Sequence, residues 1–599
     1  MELEQIRLTF DDIAPQGDAL AHHDGEVLFA PGGIPGEQAV VSARRTRRKF
    51  YIGEIVEVIS PSPHRVEPRC RHFGRCSGCG WQHIAYPFQL ELKRGAVARQ
   101  LVERGQFGSP PVLPTLPSPE VWNYRNHARF TEDDGRLGFV NKTSRKFIPI
   151  DYCHIMHPWI NERLESLQGR CAGANQVAMR YGVNTGSWLI QPKLKDIDIE
   201  TGQPFYEEKL LDRRFRISSP SFFQVNTGQA ERLFAVVRDS LRLSGSETVV
   251  DVFAGVGTFA VLLATSVARV IAIEESSAAK KDASVNMEGL SNIEFIQGKA
   301  EDELPRLSPA PDAAVLDPPR AGCQRRFLEA LLRQAPRRIA YVSCDPFTLA
   351  RDLRILCDGG YRLRSVRPVD MFPHTYHVEC VASLVRSDVS PGVVLASASP
   401  RRSELLLALG LDFDVVPPPD DEMLPGDGRS PEQVAEQLAL TKAQAVAESN
   451  RDKVVIAADT IVVHRGRALG KPRDAQEAQE MLSSLRGGQH MVITGMAVIS
   501  GGKSHVSHVA TGVTMRDYSD GEIAEYVASG DAMDKAGAYA VQHPQFRPAA
   551  RVDGCYLNVV GLPLCELAQM LKEAGVKLEP RPAWALPPQC GECGEISIL

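Results

Sequence analysis

The chain has 599 residues, a formal net charge of −6 and 13 cysteines. This length predicts about four domains. We find neither an apolar run of about 18 residues nor a charged-then-apolar leader, which argues against a membrane span or secretion and favours the cytoplasm. In a reducing compartment the cysteines should be metal ligands, catalytic thiols or buried small residues rather than disulfides. The net negative charge excludes global attraction to nucleic acid, so RNA contacts would need local basic patches.

The first 60 residues alternate short β-type segments with Gly and Pro turns, which predicts a small antiparallel barrel. Five of the six basic residues in this stretch lie in the run 44–49, and Phe50 and Tyr51 follow the run. A charge run is commonly a solvated face, but basic residues interleaved with aromatics on a barrel strand suit phosphate contact and base stacking. We therefore predict an RNA-binding module.

Three cysteines follow at close spacing: Cys70, Cys76 and Cys79, with glycines that permit a tight turn. Such thiolates can converge on one metal centre, and a structural site needs a fourth ligand to close it. Cys153 is our candidate for that ligand. The spacing alone does not distinguish zinc from an iron–sulfur cluster.

Helical periodicity then predicts a helix over residues 87–103, before a β-rich region from 122 to about 217.

Residues 248–264 predict a strand, a glycine turn and a helix. Gly255 and Gly257 let the backbone approach a ligand that a Cβ would hold off. The next strand ends in Glu274, where a carboxylate can accept hydrogen bonds from ribose hydroxyls. The spacing Gly255-x-Gly257-x-x-Ala260 also fits a dinucleotide fingerprint, so a nucleotide cofactor is predicted while its kind stays open.

Two further predicted strands end in reactive side chains. One ends in Asp317, before two prolines and Arg320; another ends in Cys344; and Glu379 begins a third. Ligands of open α/β sheets lie outside the carboxyl ends of the strands. Asp317 and Cys344 should therefore face the same crevice as the glycine turn, and a dehydrogenase has no need of this cysteine and acid.

With these residues in place, the chain from residue 1 to about 386 resembles the family of S-adenosylmethionine-dependent RNA (uracil-5-)-methyltransferases. The resemblance implies a TRAM-like RNA-binding barrel, a central domain with a [4Fe-4S] cluster, and a Rossmann-like domain for S-adenosylmethionine. It places the cluster on Cys70, Cys76, Cys79 and Cys153. It implies these cofactor-binding residues: Gln224, Phe253, Gly255, Gly257, Thr258, Glu274 and Asp317. One departure is Asp345, where many relatives carry asparagine.

The implied reaction gives the reactive side chains their roles. C5 of uracil is too weak a nucleophile to attack a sulfonium methyl group unaided, and addition of a thiolate to C6 turns the ring into an enolate with electron density at C5. We assign Cys344 as the nucleophile, Glu379 as the base that removes the C5 proton, and Asp317 as a polar contact near the cofactor. The target uridine, expected in 23S rRNA with tRNA as the other candidate, must be flipped out to reach Cys344.

A short polar segment after Arg386 separates a second unit. A strand, a serine-rich turn and the basic start of a helix place Arg401 and Arg402 at an anion site. A predicted strand over residues 454–459 ends in Asp459. The same unit supplies further polar and basic candidates: Thr460, Lys442, Lys471, Lys535 and Gln542.

The order and spacing of these residues, from 393 to about 578, resemble the Maf nucleoside triphosphate pyrophosphatases. The resemblance implies hydrolysis of a nucleoside triphosphate to monophosphate and pyrophosphate with a divalent metal, Mg or Mn, that neutralises charge on the leaving group. It implies Asp459 as the base that activates water and Glu422 as the metal ligand. The implied trio that marks the dTTP/UTP-preferring branch is Arg401, Thr460 and Gln542. The implied phosphate contacts are Arg402, Lys442, Lys471 and Lys535. Segment 543–547 departs from the glycine-rich family pattern.

The predicted fold class is multidomain α/β. The predicted domains are a TRAM-like, OB-like β-barrel at 1–60, a β-rich cluster-binding central domain at 61–220, a Rossmann-like methyltransferase domain at 221–388, an α/β Maf-like domain at 393–578 and a Pro-rich tail at 580–599. In the tail, Cys590 and Cys593 form a CxxC without a second pair.

We expect a bifunctional enzyme whose partners are RNA and nucleoside triphosphates, with no membrane. Its oligomeric state is open, a dimer through the Maf-like domain included. The alternatives are an RNA-binding scaffold with an inactive methyltransferase half and a dinucleotide oxidoreductase.

Overall fold

The computed structural model describes residues 4–46, 50–141, 144–195, 197–389, 392–419, 429–543 and 546–578. The chain divides into two compact units, Met1–Val389 and Ser390–Leu599. Antiparallel sheets, a mixed sheet with a parallel centre, and helices packed on them confirm the multidomain α/β class. Across the described ranges, none of the helices combines the length and the apolar character that a membrane crossing requires.

The first module is a six-stranded sheet in the order β1-β5-β6-β4-β3-β2. Its strands are β1 (Glu4–Thr9), β2 (Asp12–Ile13), β3 (Ala19–His23), β4 (Glu26–Ala30), β5 (Gln38–Arg45) and β6 (Tyr51–Ser60). Leu28, Ala39 and Val41 are fully buried in its core, so the alternation in the sequence reflects one buried face. Three members of the predicted basic run, residues 47–49, lie outside the described residues.

Helix α1 (Tyr86–Glu103) connects this module to the central one and begins one residue earlier than predicted. Pro87 lies in its first turn, where a missing N–H costs nothing. The central elements are β7 (His127–Asp133), β8 (Arg136–Val140), β9 (Phe147–Pro149), α2 (Pro158–Leu167), β10 (Gln176–Tyr181), β11 (Trp188–Gln191), β12 (Phe205–Leu210) and β13 (Arg213–Ser218). They form a five-stranded sheet, β11-β10-β7-β8-β9, and the hairpin β12-β13.

The third module is a seven-stranded sheet in the order β16-β15-β14-β17-β18-β20-β19. Its elements are α3 (Thr227–Leu241), β14 (Thr248–Val252), α4 (Thr258–Leu263), β15 (Arg269–Glu274), α5 (Ser277–Asn286), β16 (Ile293–Gln297), α6 (Ala300–Glu303), β17 (Ala313–Leu316), α7 (Arg325–Gln334), β18 (Arg338–Ser343), α8 (Pro346–Asp358), β19 (Tyr361–Val369) and β20 (Glu379–Arg386). The first five strands in this order are parallel, and β20 is antiparallel to both neighbours. The carboxyl ends of β14, β15, β17 and β18 therefore meet at one edge, where ligands of such sheets bind.

The second unit is one twisted sheet in the order β22-β21-β23-β25-β26-β27, with β24 also on β23. Its elements are β21 (Val393–Leu395), α9 (Pro400–Ala408), β22 (Phe413–Val415), α10 (Pro431–Ala447), β23 (Val454–His464), β24 (Arg467–Leu469), α11 (Ala475–Leu485), β25 (Gln489–Ser500), β26 (Lys503–Met515), α12 (Asp520–Ala528), β27 (Ala549–Asp553), α13 (Tyr556–Val560) and α14 (Leu564–Glu573). The predicted end of the strand at Asp459 is wrong. Strand β23 continues to His464 because residues 461–463 are β-branched and pair onward with β25.

A buried ion pair fixes α1 to the segment that connects β19 with β20. The ammonium of Lys93 contacts the carboxylate of Asp370, and neither side chain has any exposed surface. Lys93 also donates a hydrogen bond of 3.1 Å to the carbonyl of Phe372. Because this segment leads directly into Glu379, the pair acts on the position of a predicted catalytic residue.

Replacing Lys93 by methionine should lower the free energy of unfolding of the first unit by about 3 kcal/mol, because it leaves the Asp370 carboxyl buried without its cation. Lys280→Met, on an exposed turn of α5, is the matched control and should change the free energy by less than about 0.5 kcal/mol. Urea titrations followed by tryptophan fluorescence measure both. Equal stability of the two variants would contradict the importance of the pair.

Candidate active sites

The glycine turn after β14 is held in a shape that only certain residues adopt easily. Gly255 and Gly257 have φ of 56° and 82°, in the left-handed region that favours glycine. A Cβ on Gly257 would lie 2.6 Å from Cε of Met287. The amide of Gly255 donates a 2.9 Å hydrogen bond to Oε2 of Glu274. The structure thus brings together the predicted turn and the predicted ribose-binding acid, and Thr258 begins α4 immediately after the turn.

Two buried polar atoms have no hydrogen-bond partner in the described residues, and one of them is on β14 directly before this turn. They are Oε1 of Gln224 and Oδ1 of Asp251. The other carboxylate oxygen of Asp251 accepts a 2.9 Å hydrogen bond from the amide of Ala260. Burying an unpaired polar atom is costly, so these groups suit a polar ligand. Phe253, the remaining predicted contact, is half-buried with a φ of 65° and packs edge-on against Phe327.

Strand register brings Cys344 and Glu379 side by side. Ser343, the last residue of β18, is opposite Cys380 of the antiparallel strand β20. One step further along this register lie Cys344 and Glu379, and directly opposed residues have Cβ atoms about 5 Å apart. The predicted nucleophile and base therefore share one edge of the sheet, next to Asp317 at the end of β17.

Burial dominates the electrostatics of this crevice. It raises the pKa of Glu379 to about 8, and the charge of Asp317 raises that pKa further. Burial likewise raises the pKa of Asp317 and of Asp251 to about 7. The pKa of the Cys344 thiol is raised to about 11, by burial first and then by Glu379. Neighbouring charges act on Glu379 and Cys344 as well, and burial in the crevice favours the protonated side chains.

A cavity of about 350 Å³ opens at Cys344. Arg320 and His377 also line it, and the guanidinium of Arg320 lowers the pKa of both Cys344 and Glu379. The sequence pattern included Arg320 after the two prolines, but no role was predicted for it. No local pattern in the sequence indicates this role, because the proximity of Arg320 to the Cys344 thiol is a tertiary contact.

Asp345, the residue that departs from the family pattern, has a structural task. Its carboxylate accepts hydrogen bonds from the amides of Phe347 and Thr348, at 2.9 and 3.0 Å, and so caps the start of α8. Aspartate and asparagine are comparable caps at this position. The substitution therefore leaves the backbone at Cys344 supported.

The four predicted cluster cysteines come from two distant segments that meet. His72 lies 3.0 Å from the carboxylate of Asp151, which joins the segment of residues 70–79 to the one that carries Cys153. Burial and the charges of the other three thiols raise the pKa of Cys79 to about 12, so all four lie within electrostatic range. In the described part of the chain, no group of three or more His, Cys, Asp or Glu side chains is arranged to hold a single metal ion.

The second unit places its predicted catalytic acid in the middle of β23. Asp459 is opposite Gly495 and Thr460 is opposite Thr494 of β25. Nζ of Lys442, from α10, donates a 2.9 Å hydrogen bond to Oδ1 of Asp459. The Thr460 and Thr494 hydroxyls lie 2.9 Å apart.

The two arginines of α9 have different environments. The guanidinium of Arg402 donates hydrogen bonds to the carbonyls of Gly561 and Ala458, at 3.0 and 2.6 Å, and to the Thr460 hydroxyl at 3.1 Å. Arg401 instead lies 3.9 Å from Asp534. Arg402 thus links α9 to the middle of β23, and Arg401 is the more available of the two for a ligand.

The remaining predicted residues of this unit differ in exposure. Lys535 is buried against the carboxylates of Asp531 and Asp534, at 2.9 and 2.5 Å. Lys471 and Gln542 are exposed, in the loop after β24 and in the turn before segment 543–547. Three predicted residues lie outside the described part of the chain: Glu422, Cys590 and Cys593.

Comparison with known proteins covers both units. The family profile described as tRNA (Uracil-5-)-methyltransferase matches residues 197–387, and the profile described as Maf-like protein matches residues 392–574. An uncharacterized RNA methyltransferase of Thermosynechococcus vestitus is 34% identical over 442 residues, covering 64% of this chain and 98% of that protein. One of Oceanobacillus iheyensis is 34% identical over 447 residues, covering 64% of this chain and 96% of that protein.

A solved structure is similar over the same region. The tRNA (uracil-54, C5)-methyltransferase of Pyrococcus abyssi, in complex with S-adenosyl-L-homocysteine, superposes with a TM-score of 0.52 at 27% identity. The superposition covers 63% of this chain and 99% of that one.

The raised pKa of Glu379 predicts a pH-dependent stability. A glutamate whose pKa rises from 4.5 to about 8 on folding contributes stability that is fully present below pH 4.5 and is lost as the pH rises towards 8. Glu379→Gln removes this dependence. Relative to wild type, the variant should gain at least about 1.4 kcal/mol in free energy of unfolding between pH 5 and pH 8, the equivalent of one pKa unit.

Urea titrations at the two pH values measure this gain. Glu165→Gln, which changes an exposed glutamate of α2, is the control and should show no gain. A pH-independent difference between Glu379→Gln and wild type would refute the raised pKa.

Proposed function

Since the first unit belongs to the tRNA (uracil-5-)-methyltransferase family and the second is a Maf-like domain fused behind it, we propose that the chain carries out two reactions. The first is S-adenosylmethionine-dependent methylation of C5 of a uridine in RNA through a covalent adduct with Cys344. The second is hydrolysis of nucleoside triphosphates, of the dTTP/UTP type, to monophosphate and pyrophosphate. The observation that carries the first proposal is the pairing of Cys344 with Glu379 in one buried crevice beside the glycine turn.

The methylation proceeds in three steps. The thiolate of Cys344 adds to C6 of the uracil, and the electron pair of the C5–C6 double bond moves into an enolate. The enolate electron pair then forms the bond from C5 to the methyl group, while the S–CH3 bond breaks and its electron pair stays on sulfur, which leaves as the neutral thioether S-adenosylhomocysteine. Finally Glu379 accepts the C5 proton, the C5–H electron pair re-forms the C5–C6 double bond, and the Sγ–C6 bond breaks to release the thiolate. The raised pKa of Glu379 makes its ionised carboxylate a stronger base for that proton.

S-adenosylmethionine supplies an electrophilic methyl group on a positively charged sulfur. The chain offers it the unpaired carboxamide of Gln224, the carboxylate of Glu274 at the glycine turn, and contacts from Phe253, Thr258 and Asp317. The open backbone at Gly255 accommodates the approach of a ligand. Arg320 favours the ionised form of Cys344.

Cys344→Ser should abolish methyl transfer, because a hydroxyl is a far weaker nucleophile than a thiolate. Glu379→Gln should still form the adduct with RNA but release it at least about 100-fold more slowly, since no base removes the C5 proton. Adducts are detected as RNA-shifted bands in denaturing gels, with 23S rRNA as the first substrate and tRNA as the second. Cys357→Ser, in α8, is the control and should retain activity. Full activity of Cys344→Ser would refute the adduct.

We propose a [4Fe-4S] cluster on Cys70, Cys76, Cys79 and Cys153. A [4Fe-4S] cluster takes four cysteine thiolates, one on each iron. The charges of Cys70, Cys76 and Cys153 all act on the pKa of Cys79, so the four thiols lie near enough to serve one centre.

Protein purified without oxygen should contain roughly four irons per chain. Cys153→Ser should lower the iron content strongly, because it removes one of the four ligands. Cys171→Ser, which alters a buried cysteine outside the set, should leave the iron content unchanged. Colorimetric iron and sulfide assays measure this, and an equimolar zinc content without sulfide would refute the cluster.

For the second unit we propose that Asp459 activates the attacking water and that Arg401, Lys471 and Lys535 contact the phosphates. Lys442 holds the Asp459 carboxylate from α10, and Arg402 holds Thr460, so these two act as positioning residues. The cationic side chains and a divalent ion, with Glu422 as its candidate ligand, neutralise charge on the leaving pyrophosphate.

Asp459→Asn should reduce pyrophosphate release from UTP and dTTP by at least about 100-fold, because the general base is lost. Asp452→Asn, in the exposed turn before β23, is the control and should keep wild-type activity. A coupled pyrophosphate assay with Mg²⁺ or Mn²⁺ measures the rates. Equal rates for the two variants would refute the role of Asp459.

A further inference from the structure

The cavity at Cys344 is not closed by the third module alone. Its lining includes Ile13, at the end of β2, and Pro15 and Gln16, from the turn between β2 and β3 of the first module. The predicted RNA-binding module therefore reaches the edge of the candidate catalytic centre, although more than 300 residues separate the two in sequence.

This turn is fixed from several directions. The indole N–H of Trp81 donates a 2.8 Å hydrogen bond to the carbonyl of Gly17. The guanidinium of Arg99, in α1, donates a 3.1 Å hydrogen bond to the carbonyl of Ile13 and pairs with Asp12. Such contacts from two elements outside the module give the turn a defined position.

A further contact joins this turn to the segment that precedes Glu379. A Cβ on Gly17 would lie 2.6 Å from Cδ1 of Tyr376. The Tyr376 ring packs against the hydrophobic core of the first module, and it also lines the cavity with its neighbour His377. The two rings have centroids 4.2 Å apart. Tyr376 is therefore a shared wall, and Glu379 follows it three residues later.

We propose that residues 13–17 form a fixed wall of the pocket that receives the flipped uridine. This wall sets the orientation of the uracil ring relative to Cys344, in addition to any part in binding RNA. Gln16 is the polar group of this wall. Its side chain is exposed at the cavity, where a carboxamide can donate to and accept from a pyrimidine edge. The inference rests on the proposed methylation, and it assigns the first module a part in base selection.

Two matched pairs of variants test the proposal. Gly17→Ala and Gly36→Ala both place alanine at a positive φ, 91° and 85°. Only the first pushes on Tyr376, because nothing lies within 4 Å of a Cβ on Gly36. Gln16→Ala and Gln5→Ala both truncate an exposed glutamine of the same module, and only Gln16 lines the cavity.

The probe is a set of transcribed 23S rRNA fragments in which 5-fluorouridine replaces uridine, incubated with S-adenosylmethionine. We expect Gly17→Ala to form the covalent adduct about tenfold more slowly than Gly36→Ala at saturating RNA, because the base is misplaced. Gln16→Ala should be about fivefold slower than Gln5→Ala, the effect of one lost hydrogen bond. Dissociation constants for RNA should differ by less than about twofold within each pair.

Adduct rates that are equal within both pairs overturn the proposal. So do variants that only weaken RNA binding while the rate at saturating RNA is unchanged, because the module would then serve capture alone. If Gly17→Ala does not fold, the Gln16 pair decides. Absence of any adduct with the wild-type protein is a different result, since it removes the proposed methylation and this inference with it.

Discussion

The arrangement of the first unit depends on how residues 370–376 are held. This segment has no regular secondary structure, so side chains from elsewhere must fix it. The buried Lys93 ammonium pairs with Asp370, the Gln89 carboxamide both donates to and accepts from His374, and the Tyr124 hydroxyl donates to the Pro373 carbonyl. Buried pairs of this kind contribute little net stability but penalise alternative arrangements strongly when one partner is lost. The register of β18 and β20 sets Cys344 beside Glu379, and side chains of α1 and Tyr124 hold the segment that leads into Glu379.

The same edge of the sheet concentrates acidic groups whose pKa values are raised. Three acids and a thiol share a crevice with Arg320 as a nearby cation, and burial favours their neutral forms. A positive charge brought into that crevice would lower the pKa of all of them together. In the proposed methylation, ionisation of Cys344 would then be coupled to the arrival of the positively charged methyl donor. Low dielectric surroundings make this coupling stronger than it would be in water.

Sequence reasoning was sufficient where local pattern and sheet topology act together. The strand, turn and helix at residues 248–264 follow from periodicity, and the carboxyl ends of parallel strands must meet at one edge. Sequence reasoning was insufficient for contacts that no local pattern encodes. Examples are the hydrogen bond from Trp81 to Gly17 and those from Arg402 to the carbonyls of Gly561 and Ala458. The strand β23 was predicted too short, because an acid is a common strand terminator and the pairing that carries the strand past Asp459 is with a distant partner.

That pairing has an evolutionary consequence. Asp459 lies within a run of nine consecutive cross-strand partners between β23 and β25. Side chains alternate between the two faces of a sheet, so inserting or deleting one residue in β23 would turn the Asp459 carboxylate away from Lys442. Changes of length are therefore expected in the connecting loops rather than within β23 and β25.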